Sequence, residues 1–142
     1  MGLGFKCTHI MNKEELKKRT KNFTIRVFKF LKTLPNGKDV DTISHQLFRA
    51  SSSVGANYRA VCRSKSSADF LNKLKMVDEE ADESLYWLEI IDELEWKCDK
   101  SELQYLKKEA NELVSIFSAA IKTLKLKNQN GFEKALILNS QS

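Results

Sequence analysis

"SSADFLNKLKMVDEEADESLYWLEII", Ser66 to Ile91, decides the fold. Phe70, Leu74, Val77, Ala81, Ser84, Leu88 and Ile91 recur in alternating steps of four and three. That spacing keeps them on one face of a helix, whereas a strand would need a period of two. Leu85 and Leu94 widen the stripe. Ser66 precedes Asp69 by three residues, the spacing of an N-cap and its partner in a near capping box. The pattern predicts a helix over about 66–97.

Upstream lies "RASSSVGANYRAV", Arg49 to Val61. Ile43, Leu47, Ala50, Val54, Asn57 and Val61 again alternate by four and three, predicting a helix over about 42–64 with Asp41 or Thr42 as N-cap. Ser and Gly weaken a helix interior, so their concentration here asks for a reason. Small residues let another helix come close. Ser51, Ser53, Gly55 and Ala56 flank the inward stripe. They suit either a tight intramolecular helix pair or a second packed face toward another subunit.

Two more segments complete the pattern. Leu16, Phe23, Val27, Phe30 and Leu34 predict a helix over about 12–34, ended by Pro35-Asn36-Gly37. Leu103, Leu106, Ala110, Leu113, Phe117, Ala120 and Leu124 predict one over about 101–128, opened by Ser101 in "SELQ" and stopped by Asn130-Gly131. Four amphipathic helices with short connections predict an all-α, antiparallel up-down four-helix bundle. It occupies one domain, 1–142, with loose ends expected at 1–11 and 129–142. "FEKALIL" in the tail is expected to dock on the bundle or a neighbour, or else to fray. "MNKEELKK" from Met11 reads like a natural beginning.

Composition narrows the function classes. The chain has 142 residues, 42% of them apolar, with five Gly and one Pro. That is enough for a core and too few turn residues for an all-β fold. Three cysteines, Cys7, Cys62 and Cys98, lie far apart, so a disulfide framework is not expected and a reducing, cytoplasmic setting is. No apolar run of membrane-spanning length and no signal-peptide pattern is present.

Catalytic and metal readings find little support. The carboxylates of "DEEADE" invite a metal, but a di-iron bundle needs Glu-x-x-His motifs, and His9 and His45 follow no Glu at that spacing. No phosphate-binding glycine loop and no Cys–His pairing appears. No catalytic residue, metal or cofactor is assigned, and the chain is read as a non-enzyme.

Charge is unevenly distributed. The first helix carries eight basic residues against Glu14 and Glu15, a net +6, and the third carries three against ten, a net −7. Lys17, Lys18, Lys21, Arg26, Arg59, Arg63 and Lys65 form the candidate nucleic-acid-binding face. A solvated surface is the ordinary fate of such charges, and few aromatic residues lie among them, so readout of base sequence is not expected. Arg49, Ser53 and Asn57, spaced by four, form a polar ladder opposite Glu80 and Glu83, read as a structural network. Tyr86 and Trp87 sit beside the third helix's inward stripe and are candidates for an oligomer interface.

The stretch from Gln46 to Ile91 resembles the 23S rRNA-intervening-sequence protein family of bacterial four-helix bundles. The resemblance rests on Gln46, Leu47, Arg49, Ala50, Ser53 and Asn57 in the second helix. Asp69, Phe70, Glu83, Ser84, Tyr86, Trp87 and Leu88 carry it in the third. Many relatives have an acidic residue and a glycine soon after the Asn; here Tyr58, Arg59 and Ala60 follow it. The resemblance implies a homopentamer without an established molecular activity. It also implies similarity to the accessory variability protein of diversity-generating retroelements, which binds nucleic acid and a reverse transcriptase. The resulting expectation is a non-enzymatic homo-oligomer, a pentamer, that binds RNA or DNA weakly through basic surfaces. The alternative is an adaptor ring that docks a protein partner such as a polymerase.

Overall fold

The computed structural model describes the backbone of residues 12–141 and the side-chain surroundings of residues 12–127. The terminal segment 1–11 lies outside the described residues, as do the side chains of "FEKALIL". Four helices follow in order: α1 (Lys13–Leu31), α2 (Lys38–Val61), α3 (Ser67–Glu93) and α4 (Lys100–Gln141). α1 packs on α2, α2 on α3, α3 on α4, and α4 on α1. Cross-helix pairs give the directions. Arg19 meets Glu109 while Arg26, two turns on, meets Glu102, two turns back, so α1 and α4 run antiparallel. Asp78 meets Ser118 while Asp92 meets Lys107, so α3 and α4 do as well. The bundle is the up-down form expected.

Each helix start has a chemical cause. Asn12 accepts from the Glu15 amide at 2.9 Å while the Glu15 carboxylate accepts the Asn12 amide, a full capping box. Ser66 Oγ accepts from the Asp69 amide at 3.0 Å, as its spacing predicts. Two starts differ from expectation. α2 begins at Lys38 rather than near residue 42, because Gly37 at φ 154° turns the chain and Asp39 and Asp41 fall in the favoured first turn. α4 begins at Lys100, with Asp99 rather than Ser101 accepting the Glu102 amide at 3.1 Å. Three ends are earlier: α1 stops at Leu31, α2 at Val61 and α3 at Glu93, after which Glu95 takes a left-handed φ of 57°. One end is later. α4 runs through Asn130-Gly131 to Gln141. A glycine costs a helix only about 1 kcal/mol, and the good helix formers of "EKALIL" offset it.

The core sits where the stripes predict. Leu74, Val77, Ala81, Ser84, Leu88 and Ile91 of α3 are buried against Phe23, Val27 and Phe30 of α1, Leu47 and Val54 of α2, and Leu103, Leu106, Leu113 and Phe117 of α4. The inward Ser84 hydroxyl donates to the Glu80 carbonyl at 2.8 Å, so its burial leaves no donor unmet. α2 buries a second side as well: Ser51, Gly55 and Tyr58. A Cβ placed on Gly55 would lie 3.5 Å from the Thr20 carbonyl group, and Thr24 Oγ1 donates to the Ser51 carbonyl at 2.9 Å. Thus Ser51 and Gly55 serve a close approach of α1 to α2 within one chain.

Candidate functional site

The close approach of α1 and α2 shapes a concave surface. An open groove of about 990 Å³ runs between them. Ser52, Gly55 and Ala56 of α2 and Thr24 and Ile25 of α1 line its apolar part. Lys17, Lys18 and Lys21 of α1 and Arg59 of α2 line its basic part. Glu14 and Glu15 also line it, and Glu14 pairs with Lys17 at 3.3 Å. Lys18, Lys21 and Arg59 are exposed.

Of the seven basic residues expected to act together, four therefore share this groove. Arg63 and Lys65 follow Arg59 in the α2–α3 turn and are also exposed. Arg26 is not brought to the groove. It faces α4, where it binds Glu102 through two hydrogen bonds of 2.8 and 2.7 Å and lies 3.5 Å above the Tyr105 ring. The carboxylate raises its pKa further, and the residue serves the α1–α4 seam. Arg19 does the same one register further along, with Glu109 and Glu112.

Apolar surface continues the groove one turn along. Ile25, Phe28 and Phe48 are exposed, and the Phe28 and Phe48 rings lie 5.4 Å apart. Phe48 has no role in the sequence reading. Its signal was available: it is a large apolar residue off the inward stripe of its helix, as Ile25 and Phe28 are of theirs.

The α2–α3 face carries the expected polar ladder in reduced form. Arg49 hydrogen-bonds to Glu83 and lies 3.5 Å from Glu80 Oε1. Trp87 Nε1 donates to Glu83 Oε2 at 3.1 Å. Burial pushes the Glu83 carboxyl up, but the Trp87 and Arg49 hydrogen bonds outweigh it and leave it below the usual range. Glu80 goes the other way: burial dominates, Arg49 compensates only in part, and its pKa is raised. Its buried Oε1 has no hydrogen-bond partner, so Arg49 holds it by charge alone. Ser53 and Asn57 are half-buried on α2, and among the described residues no side-chain hydrogen bond ties them to this cluster.

Tyr86 and Trp87 are adjacent on α3, with ring centroids 5.0 Å apart and planes at 73°. Trp87 packs partly on the core, while Tyr86 is 52% exposed. The two thus form a ledge, one ring anchored and one presented to solvent.

Among the described residues, no group of three or more His, Cys, Asp or Glu is arranged to hold a metal ion. No helix among them is long and apolar enough to cross a membrane. The arrangement offers cationic donors around a concave surface.

The sequence matches the model of the 23S rRNA-intervening sequence protein family over residues 12–119. The chain belongs to this family. The match takes in α1, α2, α3 and the first half of α4, so it spans the bundle itself. Among solved structures, the family bundle is similar to a Bacteroides thetaiotaomicron protein of unknown function from the S23 ribosomal protein family. The two share 29% identity and a TM-score of 0.69, over 78% of this chain and 97% of that one. A comparison with curated proteins finds no match.

Proposed function

We propose that this family member acts without catalysis, as a cytoplasmic homo-oligomeric bundle that binds the phosphate backbone of RNA or DNA weakly and without regard to base sequence. The observation that carries this reading is the α1–α2 groove, where Lys17, Lys18, Lys21 and Arg59 converge on one concave surface. Cations so arranged meet a row of phosphates, and the small residues between them let a backbone come near. The names of the family and of its solved neighbour both refer to ribosomal RNA or protein, which agrees with an RNA ligand.

Assembly is supported by two unlike exposed aromatic patches. One is Phe28 with Phe48 on α1–α2; the other is Tyr86 with Trp87 on α3. Unlike patches suit a heterologous contact, which makes a ring where the rotation between subunits closes. The opposite charges of α1 and α3 favour the same pairing. We infer a pentamer, in which each groove recurs and weak phosphate contacts add.

The test is a gel shift with mixed-sequence RNA and DNA at about 50 mM salt, where phosphate contacts are strong. The native protein is expected to shift both. Charge reversal at Lys17, Lys18 and Lys21 to Glu is expected to abolish the shift without changing the melting temperature. No shift by the native protein sinks the reading. A protein partner that stays bound after nuclease treatment would favour an adaptor ring instead.

A further inference from the structure

The antiparallel register sorts charge along the bundle axis as well as between helices. Gly55 lies against Thr20, Asp78 against Ser118, and the α2–α3 turn joins residues 61 and 67. Residues 13–21, 52–79 and 113–127 therefore occupy one end of the bundle. They hold thirteen basic residues against five acidic ones, a net +8. Residues 22–51 and 80–112 occupy the other end, with nine basic against thirteen acidic, a net −4.

The basic end has a second concavity. On the α3–α4 side, a groove of about 380 Å³ is lined by Asp78, Ser118, Ile121, Lys122, Lys125 and Leu126. Lys122 and Lys125 are exposed, and Lys127 follows them on the same helix. Asp78 is the acid of this groove, and Ser118 Oγ donates to it at 3.0 Å. The α1–α2 groove opens at the same end, on the opposite pair of helices.

We propose that Lys122 and Lys125 form a second phosphate-binding site, and that nucleic acid crosses the basic end of the bundle from the α1–α2 groove to the α3–α4 groove. This rests on the phosphate-binding reading of the first groove. A polyanion is drawn to the +8 end and repelled by the −4 end, so the field orients the bundle before contact. Two clusters of lysines at one end then engage separated phosphates of one strand or duplex. The contacts are to backbone, so they carry orientation and not sequence.

The experiment measures binding of a fluorescein-labelled mixed-sequence DNA duplex by anisotropy across a salt series, with the full-length protein. Each phosphate contact contributes about 0.9 to the slope of log affinity against log salt. Lys122→Gln with Lys125→Gln is expected to make that slope shallower by about two and to weaken binding at every salt. Lys29→Gln with Lys38→Gln, at the acidic end, is the control and should leave the slope unchanged. Far-ultraviolet dichroism and light scattering check that fold and mass are retained. An unchanged slope in the Lys122/Lys125 variant, with a reduced slope in a Lys18/Lys21 variant, overturns the second site and leaves the first groove standing. An equal loss in the acidic-end control overturns the end-on orientation. No binding by the native protein at low salt removes the first groove, and the second with it.

Discussion

Gly55 of α2 lies against the backbone of Thr20 of α1, so close that an added Cβ would meet the Thr20 carbonyl carbon and oxygen at 3.5 Å. That distance is ordinary contact for a methyl group and too short for anything larger. Gly55→Ala is therefore expected to be neutral or to stabilise by up to about 1 kcal/mol, the helix-propensity gain. Gly55→Leu forces the helices apart and is expected to destabilise by about 1–3 kcal/mol. Urea unfolding of both variants checks this. A Leu variant as stable as the native chain would show that α1 and α2 do not approach this closely.

The Gly55 contact also marks where sequence reasoning stopped. The α3 stripe was legible, since Leu74, Val77, Leu88 and Ile91 carry large apolar groups at helical spacing, with Ala81 and Ser84 in register between them. On α2 the small residues Ser51 and Gly55 announced a close approach but not which helix makes it, because they have no hydrophobic signal and are buried by what α1 brings to them. Helix boundaries followed the same division. Ser66 announced itself by its spacing to Asp69, while Gly37 and Asp99 act through backbone geometry that a pattern does not display. In the candidate groove, Lys17, Lys18, Lys21 and Arg59 were legible as charges. Arg26 was misplaced among them because a count on one helix cannot see Glu102 and Tyr105 on another.

Two turns offer a reciprocal pair of backbone tests. Gly37 adopts φ 154°, where an added Cβ would also lie 2.8 Å from Asp39 Oδ1. Gly37→Ala is expected to cost about 1–2 kcal/mol. Glu95 adopts φ 57° without being glycine. Glu95→Gly is expected to stabilise the chain by up to about 1 kcal/mol, since it removes the left-handed penalty at a helix end. Thermal melts of the two variants should move in opposite directions. Shifts of the same sign would contradict the backbone angles.

Glu80 and Glu83 share Arg49 but should respond oppositely to pH. Glu83 has a lowered pKa, so its contribution is present above the ordinary value of 4.5 and is lost as pH falls through its folded value. Glu80 has a raised pKa, so its ionised form opposes folding above the folded value, and that opposition is gone below 4.5. Glu83→Gln is accordingly expected to lower stability at neutral pH, by less than about 1 kcal/mol for so exposed a pair. Glu80→Gln is expected to raise it, because the buried Oε1 no longer carries charge. Both differences should shrink on acidification. Denaturant titrations from neutral to acid pH decide this, and a Glu80→Gln variant that is less stable at neutral pH would contradict the burial argument.

Assembly makes the last prediction. Tyr86 stands on the anchored Trp87 ring and is 52% exposed, while Phe28 is 47% exposed beside Phe48. Large rings held in place and presented to solvent are expensive on a free surface and are enriched where subunits meet. If the two patches face each other across one heterologous contact, damage to either should open the ring. Tyr86→Glu and Phe28→Glu are each expected to reduce the mass in light scattering from that of a pentamer to that of a monomer. Neither should shift the monomer's melting by much, because both side chains lie outside the core. The double variant should be no more dissociated than either single one, since both break the same contact. Mixing the two single variants tests the geometry further. A heterologous contact leaves one intact Tyr86–Phe28 pairing between unlike chains, so mixing should yield heterodimers but no closed ring. A native chain that runs as a monomer would instead leave both patches as bare surface and remove the avidity on which weak phosphate binding depends.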